Sequence, residues 1–190
     1  MAFLGDIVNN INAALKAKLT AFPTTFYGGI AYPIGRKRDT TYEFIPAIIS
    51  VDGEAKYMTF DDLQEISIYH RIANSSYAQN KDKSYGDGYT TFTQSYDLDL
   101  VVMADRKRTQ VSPDVLEAAI ASNMPDKDTL PGVKYINILS ISANHNSRSL
   151  FSQEFQGVTY YLKPEHIFFS IRYRAELEYT KGCLSLCQCD

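Results

Sequence analysis

Cys183, Cys187 and Cys189 lie within the last eight residues and are the chain's whole complement of thiols, in the stretch KGCLSLCQCD. Clustered thiols can bind zinc, exchange disulfides or pack as small hydrophobes. A structural zinc ion takes four ligands, commonly from two C-x-x-C elbows. Here the spacing is C-x-x-x-C-x-C, and a fourth ligand would have to come from Asp190, His70, His145 or His166, none of which stands in a paired arrangement. In an extended tail the three cysteines share one face with Ser185, because side chains alternate along a strand. That pattern suits an inward-facing stripe of small hydrophobes or a tail lying against a neighbour; inert packing or a loose terminus is expected ahead of an intermolecular disulfide or a metal site.

Carboxylates offer a second chemistry. Glu54-Ala55-Lys56, with Asp39 or Glu43 upstream, resembles the site of restriction-endonuclease-like nucleases. There two carboxylates hold Mg²⁺ and a lysine positions the attacking water. The same residues also surround Asp52-Gly53, a hairpin signal where solvated charge is ordinary. Asp97 and Asp99 could share a cation, yet their alternation with Leu98 and Leu100 reads as the wet face of a strand. No serine sits in a glycine-flanked elbow. YGGIAYPIG and YGDGY lack the spacing of a phosphate-binding loop. The chain is therefore expected to have no catalytic residues, cofactor or metal. Two basic triplets remain, Arg36-Lys37-Arg38 and Arg106-Lys107-Arg108, each placed where a strand passes into a turn. Such triplets suit the ends of exposed strands or contact with phosphates or an acidic partner.

The elements that must position these groups fit one domain over residues 1–190. A net charge of -3 gives no global case for nucleic-acid binding. Neither a membrane span nor a secretory leader is evident, so synthesis in the cytoplasm is expected. The chain has 14 tyrosines, 10 phenylalanines and no tryptophan. Tyrosine on that scale favours half-buried strands and contact surfaces.

Helical spacing from Asp6 to Leu19 predicts an amphipathic opening helix, with Asp6 as its cap. TTFYGGIAYPIG reads as a strand with a bulge at Gly28-Gly29, and two strands are expected around Asp52-Gly53. From about 73 to 90 the polar, tyrosine-rich SSYAQNKDKSYGDGY predicts a projecting loop carrying Tyr77, Tyr85 and Tyr89. SYDLDLVVMAD is a strand, SPDVLEAAIASNM a helix with Pro113 in its first turn, and VKYINILSI a strand. IFFSIRYRAELEY is a long closing strand, followed by an extension at about 181–190. The order predicts an α+β domain: a mostly antiparallel sheet with two helices on one face.

That order of elements resembles the small neck proteins of tailed bacteriophages, the tail-terminator, tail-completion and head-to-tail connector ring subunits. The resemblance implies a tail-terminator-like fold and a non-catalytic virion protein made in the host cytoplasm. It also implies a closed homo-oligomeric ring, often of six or twelve copies, that joins the portal and head to the tail. Expected partners are the portal, other neck and tail proteins, and DNA in the lumen without sequence readout. The contact candidates are Arg36, Lys37, Arg38, Tyr77, Tyr85, Tyr89, Arg106, Lys107, Arg108, Cys183, Cys187 and Cys189. The alternatives are a nuclease using Glu43, Glu54 and Lys56, or a β-rich ligand-binding domain with an aromatic-lined pocket.

Overall fold

The computed structural model describes residues 4–49, 53–58, 65–85, 89–127, 132–142, 150–151, 154–155 and 165–180. Helix α1 (Leu4–Lys18) leads into β1 (Thr24–Arg38), β2 (Thr41–Ile49) and β3 (Ala55–Tyr57). The long strands β4 (Ile66–Tyr85) and β5 (Tyr89–Asp105) follow, then the one-turn α2 (Arg106–Thr109) and α3 (Pro113–Asn123). Strands β6 (Val133–Ile141) and β7 (His166–Thr180) complete a seven-stranded sheet in the order β3-β2-β1-β4-β5-β7-β6. Every neighbouring pair is antiparallel except β1–β4. The expected α+β architecture with a mostly antiparallel sheet is present.

Both faces of the sheet are covered. On one, Ile7, Val8, Ile11 and Leu15 of α1 and Leu116 and Ile120 of α3 pack on Ile66, Ile68, Leu98, Leu100, Phe169 and Ile171. The spacing of those α1 residues is the helical stripe read in the sequence, and the two main helices share this face as expected. On the other, Tyr27, Tyr69, Val101, Met103 and Phe168 lie beneath Phe151 and Phe155. The alternation along β5 therefore has apolar residues on both sides.

The bulge predicted at Gly28-Gly29 is real: the β1–β4 register shifts between Phe26 and Ile30. Backbone groups leaving the ladder there need partners, and α1 supplies them. The Asn12 amide donates to the Tyr27 carbonyl at 3.0 Å, and the Gly29 N–H donates to Asn9 Oδ1 at 3.2 Å. Gly29 has a φ of +81° and an added Cβ would stand 3.3 Å from Ile48 Cγ2. Gly29→Ala is therefore expected to lower the unfolding free energy by about 1–2 kcal/mol, read as a fall in the urea midpoint with unchanged slope.

Several elements depart from the sequence reading. Residues 73–85 form the upper half of β4 instead of a projecting loop. Tyr77 pairs across from Gln94 and Tyr85 from Tyr89, which places all three tyrosines in strands. The tight two-residue connection is Asp39-Thr40, between the paired Arg38 and Thr41, with Asp39 at a φ of 52°. Asp52-Gly53 lies instead in the five-residue span between the paired Ile49 and Ala55. Arg36–Arg38 end β1 beside the Asp39-Thr40 turn, as expected of a strand passing into a turn, whereas Arg106–Arg108 lie in α2, capped by the Asp105 side chain. Asp6 sits in the first turn of α1, where its charge meets the positive end of the helix. Ser112 occupies the cap position of α3 through its backbone, its carbonyl accepting from the Leu116 N–H.

Candidate contact surfaces and a charged cleft

Arg71, Asp99 and Arg172 stand directly opposite one another on β4, β5 and β7. They lie on the face covered by Phe151 and Phe155, one step beyond its apolar floor. Asp99 is buried and accepts from Arg71 Nε at 3.1 Å and from Arg172 Nε and Nη2 at 2.8 and 3.2 Å. Arg71 also donates to the Glu154 carboxylate and, at 2.8 Å, to the Leu150 carbonyl. The Arg71 guanidinium thus helps fasten the covering segment to the sheet, to which the Phe155 N–H also bonds through the Phe44 carbonyl. The wet strand face expected for Asp99 is a buried ion network. The next row repeats the pattern in the open, with Arg174 gripping Asp97 through two bonds. That hydrogen-bonded guanidinium holds the Asp97 carboxyl below its ordinary value. Each aspartate is answered by arginine, which replaces the cation that the Asp97-x-Asp99 spacing invited.

Beyond Ile30 and His70 the strands β1 and β4 part. They leave a cleft of about 420 Å³ lined by Ala31, Tyr32, Pro33, Ile72 and Ala73 above the Arg71–Asp99–Arg172–Glu154 network and Leu150. Pro33 stands opposite Pro46. Neither has an N–H to give the other, and the Pro46 carbonyl faces β3, accepting from the Met58 N–H. The β1 edge of the cleft thus carries a proline where an added strand would need a donor. One aromatic side chain, Tyr32, belongs to the lining, against the several that a ring-lined ligand pocket would require.

A polar chain crosses the helix-covered core. His70 is fully buried, with Nε2 2.8 Å from Asn12 Oδ1 and Nδ1 2.9 Å from Tyr173 Oη. The Asn12 oxygen only accepts, so Nε2 carries the proton and Tyr173 donates to Nδ1. Burial pushes the His70 pKa down to about 3 and that of the Tyr173 phenol up. His70 is thus a neutral link between α1 and two strands. His166 stacks edge-on against Phe168.

The nuclease set does not assemble. Glu43 is buried and bonded to Arg36 through Nε and Nη2. Lys56 pairs with Ile48, five residues further along β2, a separation of roughly 16 Å at strand rise. The Lys56 ammonium lies 5.7 Å from the centre of the Tyr27 ring. Cys183, Cys187 and Cys189 lie outside the described residues. Among the described residues no three His, Cys, Asp or Glu side chains group to hold a metal ion, and no helix is long and apolar enough to cross a membrane.

The remaining candidates separate into two ends. Because β1 and β4 are parallel, Arg36–Arg38 at the end of β1 and the paired Tyr85 and Tyr89 lie toward the same end of the sheet. β7 also finishes there, Thr180 opposite Thr91. Arg106–Arg108 follow β5 at the opposite end, where Lys107 pairs with Glu165 and Arg108 with Asp105. The two triplets cannot form one basic patch.

Apolar surface is concentrated at two other places that sequence reasoning missed. Ile138, Leu139 and Ile141 of the edge strand β6 are exposed, Leu139 by 45%. Across the sheet Tyr32, Tyr42 and Phe44 of the β1–β2 hairpin are exposed, Tyr42 by 64%; the register sets Tyr32 on the opposite face from Tyr42 and Phe44, and Tyr32 lines the cleft with Ile72. VKYINILSI carried a weak signal, since Ile138-Leu139 breaks strict alternation. Comparison of the chain with models of known protein families and with the curated proteins finds no match.

Proposed function

We propose that this protein is a non-catalytic ring subunit of a virion, of the tail-terminator and head-to-tail connector type, placed in the neck of a tailed bacteriophage and acting by shape and contact. The observation that carries the reading is the pair of apolar strand surfaces, β6 on one flank of the sheet and the β1–β2 hairpin on the other. Apolar side chains left exposed on strands at the flanks of a sheet suit contact with another chain. Two different surfaces on opposite flanks are what a head-to-tail interface needs, and such an interface closes into a ring when the rotation per subunit allows.

The elements projecting from one end suit contact with the portal or with adjoining neck and tail proteins. A lumen that passes DNA requires no base readout, in keeping with basic groups already matched by nearby carboxylates. The neck position itself rests on the order of elements in the chain.

Native mass spectrometry and negative-stain imaging of the purified protein, alone and mixed with portal, test the reading. A closed ring of defined subunit number, six or twelve, is expected. Monomers in every mixture and at every concentration would overturn it.

A further inference from the structure

The cleft between β1 and β4 is a fork closed at one end. The two strands pair in parallel as far as Ile30 and His70, and both then run on, β1 to Arg38 and β4 to Tyr85. Each keeps its outer neighbour, β2 or β5, and among the described residues no strand stands between them. The β4–β5 register shifts at Ala73, just past the last pair with β1, and a bulge of this kind bends its strand. The fork opens toward the end of the sheet where β1 finishes and Tyr85 meets Tyr89. Its cavity of about 420 Å³ falls within the range of ligand sites.

The two walls offer a polypeptide different things. On β1, Pro33 has no N–H to give. On β4, residues 74–78, NSSYA, pair regularly with β5 and carry no charge and no proline, the features that normally blunt a free edge. Asn74, Ser75, Ser76 and Ala78 are exposed and small, so a second backbone can come close. The Ser75 N–H is bonded at 2.9 Å to the Asn74 side chain, an exposed bond that a peptide carbonyl can replace. An extended chain laid along this wall adds a strand to β4.

The charged floor decides which end of a chain fits. The Asp99 and Glu154 side chains are 3% and 4% exposed, and Arg71 is bonded to both. Arg172 is 47% exposed and uses Nε and Nη2 on Asp99, which leaves Nη1 without an acceptor among the described residues. The charge that reaches the cleft is therefore positive. Because the fork is closed at Ile30 and His70, a chain entering from the open end must stop at its base and bring a terminus there. A chain that leads with its carboxylate runs opposite to β4, which allows antiparallel pairing, and its carboxylate meets a guanidinium. Ala31, Ile72 and Leu150 line the same cavity and suit an apolar last residue.

We infer that the cleft captures the free C-terminal end of an extended peptide, antiparallel to β4 along residues 74–78, with its terminal carboxylate on Arg172. The assignment goes beyond the ring reading and stands apart from it, since a monomer can hold a peptide as well as a ring can.

The test selects a library of random heptapeptides with free C-terminal carboxylates on the immobilised full-length protein. Enriched peptides are then made as acids and as amides, and their binding is measured by fluorescence anisotropy. Amidation is expected to weaken binding about tenfold or more, the worth of a hydrogen bond to a charged group. In Arg172→Gln the acid and the amide should bind alike, a loss of discrimination that general loosening of the fold would not produce. Ala73→Glu, an exposed wall substitution outside the ion network, should abolish binding of the acid at an unchanged melting temperature, and it carries the test if Arg172→Gln melts well below the wild type. No enrichment, amides that bind as well as acids, or binding untouched by Ala73→Glu would each overturn the assignment. Rings that bind no peptide would leave the ring reading standing; monomers that bind one would remove the ring and keep the cleft.

Discussion

Asp99→Asn lowers the unfolding free energy by about 3 kcal/mol in urea titrations, the low end of the range for breaking one side of a buried ion network. The substitution keeps size and shape and removes the charge, leaving two guanidiniums against a neutral amide. Arg71, whose side chain is 15% exposed, bears most of the cost. Arg172, at 47%, recovers water in place of its lost partner, which is why the low end applies. The charge also sets how the covering segment is held. Without Asp99, Arg71 can swing toward Glu154, and its alignment with the Leu150 carbonyl is lost. Faster hydrogen exchange at Phe151 and Phe155 should accompany the change. Removing Arg174 from Asp97 should cost far less, since that pair lies in water and is screened.

Acid destabilises the protein through His70, beginning well above the carboxylate range. Burial with only Asn12 and Tyr173 as partners, and no facing carboxylate, lowers its pKa to about 3. In the unfolded chain the imidazole titrates near its usual value of about 6.5. Between those values the unfolded state binds a proton that the folded state refuses, so stability rises with pH. The contribution is complete above about pH 6.5 and is lost by about 1.4 kcal/mol per pH unit as pH falls, levelling off below about 3. Asp97, with its pKa lowered from 3.8, adds acid sensitivity only as pH falls below that value. Unfolding free energies at pH 7.5, 6, 5 and 4 should show the slope. His70→Gln should be less stable at pH 7.5 and have a flatter profile. A variant with the wild-type slope would assign the sensitivity to other groups.

Much of the architecture was legible because it follows from periodicity. β7 alternates cleanly, with Phe169, Ile171, Tyr173, Ala175 and Leu177 buried, and the stripes of α1 and α3 have helical spacing. The upper half of β4 was hidden for the same reason. Residues exposed from Ile72 onward have no core to face, so no period of two is imposed on them. The Asp39-Thr40 turn lacks glycine and went unseen, since aspartate tolerates the left-handed backbone less visibly. At Asp99 the alternation identified the face and could not say what covers it. Arg71 and Glu154 come from distant parts of the chain, and only the folded topology brings them together.

The strand order has a consequence for how the chain is made. β7 follows every other described strand in sequence, yet it sits inside the sheet, between β5 and β6. Until residues 166–180 leave the ribosome, β5 has one side without its partner and β6 has nothing to dock on. The nascent chain must hold a gap and close it last with a fifteen-residue strand. Non-local closure of this kind is slow and leaves apolar strands open to other chains while it waits. Synthesis therefore orders events: β6 gains its described neighbour in the sheet only when β7 arrives, so the sheet closes from the inside and closes late.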